Sequence, residues 1–112
     1  MTDILSKDNL GLKDLQAFHH DLDVEKHFDQ DMFRNVAYLT GEIGEFVSAV
    51  RKLRKANNET EENEARNHVA EELADCLAYV VKLANYVEID LQEAYVKKMQ
   101  RNLKREWHPK TK

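Results

Sequence analysis

The chain has 112 residues, a length that suits one domain covering residues 1–112. Charged residues make up 34% of it, and only three Gly and one Pro occur, so the composition favours helices over sheets. The formal net charge of -4 argues against a nucleic-acid binder, because such proteins usually carry a basic excess.

Hydrophobic periodicity predicts four helices, over about 12–28, 32–56, 62–87 and 90–106. Asn57 and Asn58 give a stop after the second helix, and Asp90 with Glu93 gives a capping-box-like start to the fourth. We therefore expect an all-α bundle of about four helices, in which the second and third form an antiparallel central hairpin. A helical chain this short often borrows surface from a partner subunit, so we expect an oligomer.

The apolar segments are too short for a membrane protein. The longest uninterrupted apolar run is 76–81, far below the ~20 residues that a membrane-spanning helix needs. Residues 1–10 are polar and show no signal-peptide pattern. We therefore expect a cytoplasmic protein without a membrane partner.

Two pairs of acidic residues lie on the helices of the predicted hairpin. Glu42 and Glu45 belong to the second helix, and Glu72 and Asp75 to the third. Each pair has i,i+3 spacing, so its carboxylates share one helix face, about 5–6 Å apart at Cβ. The midpoint between the pairs falls in the predicted turn, so an antiparallel hairpin places both pairs at one height, roughly 22 Å from the turn. Spacing alone does not fix their rotation, but apolar neighbours on both helices favour an inward orientation.

Four clustered carboxylates repel one another by about 2–3 kcal/mol per pair at an effective dielectric of ~20. Such a cluster takes up protons, spreads into water or binds cations, and oxygen ligands alone suit Mg²⁺ or Mn²⁺ rather than zinc. The alternative is a set of ordinary surface acids. Gly41 and Gly44 lie mid-helix beside the first pair, and a close helix approach or room for a ligand would offset their cost of about 1 kcal/mol. His19, His20 and His68 show no ligand-like partner and are interpreted as surface or packing residues.

Three segments follow the pattern of a known family: GEIGEFVSAV (41–50), EELADCLAYVVKLANYVEIDLQEA (71–94), and KMQRN (98–102) with Arg105. They resemble the MazG-like all-α NTP pyrophosphohydrolase family, which is marked by E-x-x-E followed by E-x-x-D on the next helix. The resemblance covers 34–105. The first helix, with His27-Phe28 and Arg34-Asn35, is similar to the dCTP pyrophosphatase branch, although Phe28 stands where that branch has tryptophan.

The resemblance implies Mg²⁺-dependent hydrolysis of (deoxy)nucleoside triphosphates to the monophosphate and pyrophosphate, in nucleotide-pool housecleaning. It implies that Glu42, Glu45, Glu72 and Asp75 bind Mg²⁺, with Mn²⁺ as a substitute. A glutamate would take the proton of the attacking water, and Glu42 and Glu45 are the candidates. The family forms homodimers or dimers of dimers, with active sites at subunit contacts.

Further residues would bind the rest of the nucleotide. Lys98 and Asn102 match family positions that contact substrate phosphates, and Arg105 is a third candidate. Their i, i+4 and i+7 spacing puts them on one helix face, which suits an anion clamp, although a solvated polar face would look the same. The candidates for stacking on the base are His27, Phe28 and Trp107, each with a packing role as the alternative. Phe46 and Tyr79 are interpreted as core.

Two other classes of protein are alternatives to this interpretation. Ferritin-like di-iron bundles use paired E-x-x-H motifs, and none occurs in the chain. A catalytically silent helical dimerisation or regulatory module, binding nucleotide or metal without turnover, is the second alternative. Retention of all four acids together with Lys98 and Asn102 speaks against such a loss of activity.

Overall fold

The computed structural model describes residues 2–105, in which five helices and no strand occur. The helices are α1 (Thr2–Leu5), α2 (Leu12–Lys26), α3 (Met32–Arg54), α4 (Glu59–Tyr86) and α5 (Leu91–Lys104). The all-α prediction is confirmed, and the four long helices fall within a few residues of their predicted bounds. The short α1 was not predicted.

Short polar side chains fix where the long helices begin. Asp31 accepts a hydrogen bond from the backbone N of Arg34 at 2.9 Å, which caps α3. Asp90 caps α5 in the same way, through the backbone N of Glu93 at 3.0 Å. Asn58 caps α4 by accepting from the backbone N of Glu61 at 2.9 Å. The third long helix therefore begins at Glu59 rather than near 62, and Asn58 starts it instead of only ending its predecessor.

The central feature of the fold is the predicted hairpin of α3 and α4. Only residues 55–58 separate the two helices, which pack against each other more extensively than any other pair. The second-largest helix contact joins α2 to α4. In contrast, α5 contacts α2 and does not pack extensively against either arm of the hairpin.

A buried polar network holds α2 on α4. Asp23 of α2 is 3% exposed, and its Oδ1 lies 3.4 Å from Nζ of Lys82 on α4. The hydroxyl of Tyr86 donates to the other Asp23 oxygen at 2.6 Å. Burial, together with this hydrogen bond, raises the pKa of Tyr86 well above its ordinary value. One acidic side chain thus joins two residues of α4 that lie one turn apart.

The apolar core within the described chain is small. Its buried hydrophobic residues are Ala49, Ala65, Val81 and Ala84. Large apolar side chains lie outside it: Phe33 is 86% exposed and Leu103 is 84% exposed. No helix in the described chain has the length and apolar content needed to cross a membrane.

Candidate metal centre

The hairpin brings the two acidic pairs together across α3 and α4. One carboxylate oxygen each from Glu42, Glu72 and Asp75 lies within 4.8 Å of the others. Glu45 lies beside Glu72 in the same way, in a second group that also includes His68. Glu72 is therefore the member common to both groups. The pairs lie at similar distances from the turn, as predicted. They also face each other across the hairpin, which spacing alone left open.

The Glu72 carboxylate is buried and only partly satisfied. The residue is 8% exposed, and its Oε2 has no hydrogen-bond partner in the protein. Leaving a buried polar atom unpaired costs about 1–3 kcal/mol, and more when the group is charged. A bound cation or a shared proton would remove that cost. The burial of this oxygen among carboxylates therefore fits a divalent cation.

The electrostatics of Glu42 show how the cluster behaves without a cation. Burial, a hydrogen bond shared with Asp75, and the negative charges of Asp75 and Glu72 raise the pKa of Glu42 to about 7. Without a cation, the repulsion among these carboxylates therefore favours a protonated Glu42. The same burial and the same three carboxylates raise the pKa of the Cys76 thiol, so Cys76 stays protonated.

His68 lies at this cluster, so the expectation that it has no ligand-like partner is wrong. Its Nε2 lies 3.3 Å from Oε1 of Glu72, one helical turn further along α4. The signal was present in the sequence, because residues at i and i+4 share a helix face. Spacing within α4 does not show, however, that this face also meets Glu45 of α3.

The two glycines of α3 leave space and do not serve close packing within the chain. A Cβ atom added at Gly41 or at Gly44 would meet nothing within 4 Å. Of the two explanations offered for their cost, a close helix approach is therefore not seen within the chain. Both positions face open space instead.

A small cavity of about 180 Å³ lies next to the acidic cluster. Tyr38 comes one turn before Glu42 on α3, and Tyr79 one turn after Asp75 on α4, so the cavity begins roughly 5.4 Å along the hairpin from the carboxylates. The cavity is lined by Phe28, Asp29, Asn35, Tyr38, Tyr79 and Lys82. The Lys82 ammonium lies 5.2 Å from the Phe28 ring centre and 5.0 Å from that of Tyr79. The interpretation of Tyr79 as a core residue is wrong, because its half-buried ring lines this cavity.

Asn35, one of the residues that line the cavity, carries a buried acceptor without a hydrogen-bond partner. The residue is 1% exposed, and its Nδ2 donates to the backbone oxygens of Asp29 and Asp31 at 2.8 and 2.7 Å. These two acceptors fix the amide orientation, and Oδ1 is left without a hydrogen-bond partner. Arg34 holds the same loop through Asp29, and lowers the pKa of that carboxyl to about 2.

The other candidate ligand-binding residues lie apart from the cluster in a single chain. His27 ends α2 with a left-handed backbone (φ 54°) and is not among the residues that line the cavity. Lys98, Asn102 and Arg105 lie on or directly after α5, which packs on α2 and not along the hairpin. Trp107 lies outside the described residues.

Comparison with known proteins gives one family match. The sequence model for the MazG nucleotide pyrophosphohydrolase domain matches residues 30–108. This range includes both acidic pairs, the residues that line the cavity from α3 and α4, and all of α5. No curated protein matches the chain significantly.

Proposed function

Because the chain belongs to the MazG nucleotide pyrophosphohydrolase family, we propose that it hydrolyses (deoxy)nucleoside triphosphates with Mg²⁺ to the monophosphate and pyrophosphate. The biological role would be housecleaning of the nucleotide pool. The observation that carries the proposal is the convergence of carboxylates from both arms of the hairpin, with a buried, unsatisfied oxygen at its centre.

The metal ligands in this proposal are Glu42, Glu45, Glu72 and Asp75, with Mn²⁺ able to replace Mg²⁺. When bound, such a cation neutralises charge on the triphosphate and lowers the pKa of a water molecule beside it. The supporting observations are the all-carboxylate surroundings of Glu42 and the orphaned oxygen of Glu72.

Proton transfer is the task of a glutamate of the cluster. Attack by water on the α-phosphorus expels pyrophosphate and releases a proton that must be accepted nearby. The accepting carboxylate must lie within hydrogen-bond reach of that water. Glu42 and Glu45 are the candidate bases, and Glu45 is the more exposed of the two.

The aromatic cavity is the proposed site of the base. Its volume of about 180 Å³ is below the roughly 300–1,000 Å³ of pockets for drug-sized ligands, so it suits one ring system rather than a whole nucleotide. Phe28 and Tyr79 offer faces for stacking, as predicted for Phe28. The free Oδ1 of Asn35 can accept a hydrogen bond from an exocyclic amino group of the base.

We also propose that the chain works as a homodimer or a dimer of dimers. Its accessible surface is 8856 Å², whereas a compact monomer of 13.1 kDa exposes about 6,400 Å². Its radius of gyration is 17.1 Å, against about 13 Å for a compact domain of this length. The excess of about 2,400 Å² is comparable to the area that each chain of a large obligate interface buries.

The surface available for a second copy lies beside the metal centre. Ile43, Val47, Leu73 and Leu77 flank the carboxylates and are each 43–52% exposed. On α5, Tyr95, Val96 and Leu103 are also exposed. We propose that the second copy covers these faces, and that Lys98, Asn102 and Arg105 then contact phosphates held at the carboxylates of the partner chain.

A nucleotide panel tests the proposed reaction. Canonical and modified NTPs and dNTPs are incubated with Mg²⁺, and pyrophosphate and orthophosphate are measured separately. Glu42→Gln and Asp75→Asn should abolish turnover with unchanged helical circular dichroism. The matched control is Glu25→Gln, on the exposed surface of α2, which should keep full activity.

Two results would contradict the proposal in different ways. Full activity of both site variants would contradict the proposed metal ligands. Release of orthophosphate in place of pyrophosphate would contradict the proposed reaction. If no nucleotide is hydrolysed, and neither Mg²⁺ nor a non-hydrolysable dNTP raises the melting temperature, the chain is a silent helical module.

A further inference from the structure

We propose that Glu45, His68 and Glu72 form a second cation position beside the Glu42–Glu72–Asp75 position, and that the imidazole nitrogen makes it prefer a first-row transition ion such as Mn²⁺ or Co²⁺ over Mg²⁺. The location rests on the proposed function, because Glu45 and Glu72 belong to the proposed Mg²⁺ ligands. The role of His68 goes beyond that function and can be tested without a nucleotide.

The three side chains come from both arms of the hairpin. Glu45 lies on α3, whereas His68 and Glu72 lie one turn apart on α4. Nε2 of His68 lies 3.3 Å from Oε1 of Glu72. One ligand atom from each of the three residues lies within 4.8 Å of the others, so a single ion can be contacted by all three after small side-chain adjustments.

The state of Glu72 supports two positions rather than one. Its side chain is 10% exposed, and Oε1 already faces His68. Its other oxygen, Oε2, is buried without a hydrogen-bond partner, although Glu72 also belongs to the group with Glu42 and Asp75. A carboxylate with one oxygen beside the imidazole and one oxygen left over can bridge two neighbouring ions.

The donor chemistry distinguishes the two positions. The Glu42–Glu72–Asp75 group offers only oxygen, which suits Mg²⁺. The second group adds an imidazole nitrogen, a ligand that raises affinity for transition ions in the order Mn²⁺ < Co²⁺ and contributes little to Mg²⁺ binding.

Solvent reaches His68 through an open cavity of about 430 Å³ at the turn end of the hairpin. The cavity is lined by Lys52, Lys55, Glu61, Glu64, Ala65 and His68. It provides an entry path for an ion towards Glu72, the buried member of the ligand set. A simple His–Glu ion pair within α4 is the competing explanation of the 3.3 Å contact, and it predicts no nitrogen ligand on any ion.

Pulsed electron paramagnetic resonance of Mn²⁺ bound to the full, nucleotide-free chain separates these explanations. We expect modulation from a coordinated ¹⁴N nucleus in the wild type. It should be absent in His68→Gln, which keeps a polar group next to Glu72. The loss of this ligand should weaken Mn²⁺ and Co²⁺ binding by about 10–100-fold, the effect seen for ligand-supporting residues, and leave Mg²⁺ affinity unchanged. His20→Gln, on the exposed surface of α2, is the matched control and should behave as the wild type.

The wild-type measurement alone can overturn the inference, whether or not the variants fold. Absence of ¹⁴N modulation in the wild type would do so, and so would equal Mn²⁺ affinity of folded His68→Gln. If pyrophosphate is still released with Mg²⁺ in that case, the proposed function stands and only the role of His68 is removed. If a nitrogen ligand is detected but no nucleotide is hydrolysed, the proposed function is contradicted and the second cation position is supported.

Discussion

The raised pKa of Glu42 predicts that the metal-free protein loses stability as the pH rises towards neutrality. The Glu42 pKa is about 7 in the folded chain and 4.5 in the unfolded chain, so the folded state binds more protons between these values. The free energy of unfolding therefore falls as pH rises through this window, and it is level on either side. Most acid-sensitive proteins show the opposite slope, because their carboxylates have lowered pKa values.

The size of the effect follows from the shift and from the exposure of the group. At ~1.4 kcal/mol per pH unit, the full change from 4.5 to about 7 corresponds to about 3 kcal/mol. Water reaches the half-buried Glu42 side chain and screens part of the repulsion, so we expect about 1–2 kcal/mol. For a domain of this size, this lowers the melting temperature by roughly 4–16 °C.

With Mg²⁺ present, the free energy of unfolding should rise with pH instead of falling, because the ion replaces the proton between the carboxylates. At about 100 times its dissociation constant, a cation that binds only the folded state adds about 2.7 kcal/mol. This gain should be present near pH 8 and mostly lost near pH 5, about two units below the pKa of Glu42, where the proton competes.

Thermal unfolding, followed by circular dichroism with a chelator or with Mg²⁺ across this pH range, measures both effects. Glu42→Gln should flatten the metal-free profile, whereas the surface control Glu25→Gln should keep it. A metal-free melting temperature that is constant or rises from about pH 5 to about pH 7, with the same profile in Glu42→Gln, would refute the reasoning.

The remaining predictions concern stability and assembly. Asp23→Ala leaves the buried Lys82 ammonium without its carboxylate partner, and should lower the free energy of unfolding in urea by about 3–5 kcal/mol. A variant as stable as the wild type would contradict the buried ion pair. Leu77→Glu places a charge on the exposed apolar face beside the metal centre and should lower the mass measured by light scattering to that of one chain, whereas Val24→Glu on α2 should not. Asn58→Ala removes the cap of α4 and should cost about 1 kcal/mol, and an unchanged unfolding midpoint would show that the cap contributes nothing.

Much of the fold followed from the sequence because the signals were local. Apolar spacing predicted the four long helices, and the equal distance of the two acidic pairs from the turn placed them at one height. The start of α4 was missed by a few residues because Glu59 to Glu61 are polar and add nothing to an apolar stripe. The four-residue α1 is too short for any periodicity to appear.

The parts that were missed depend on contacts between elements. Tyr38 and Lys82 became recognisable as cavity residues only once the loop before α3 placed Phe28 and Asp29 against them. Likewise, no spacing rule could show that α5 packs on α2, because a single amphipathic helix does not specify which surface it meets. His68 is a different case, since its distance from Glu72 was readable and only its interpretation was wrong.

The very small core affects how much of this protein persists in a cell. Among the described residues, only Ala49, Ala65, Val81 and Ala84 are buried apolar residues, so one copy gains little free energy by folding alone. On the proposed assembly, most of the missing burial comes from an encounter between copies, and stability then depends on concentration. Dilution would release subunits that proteases can cut, so the amount of working protein would rise more steeply than the rate of its synthesis.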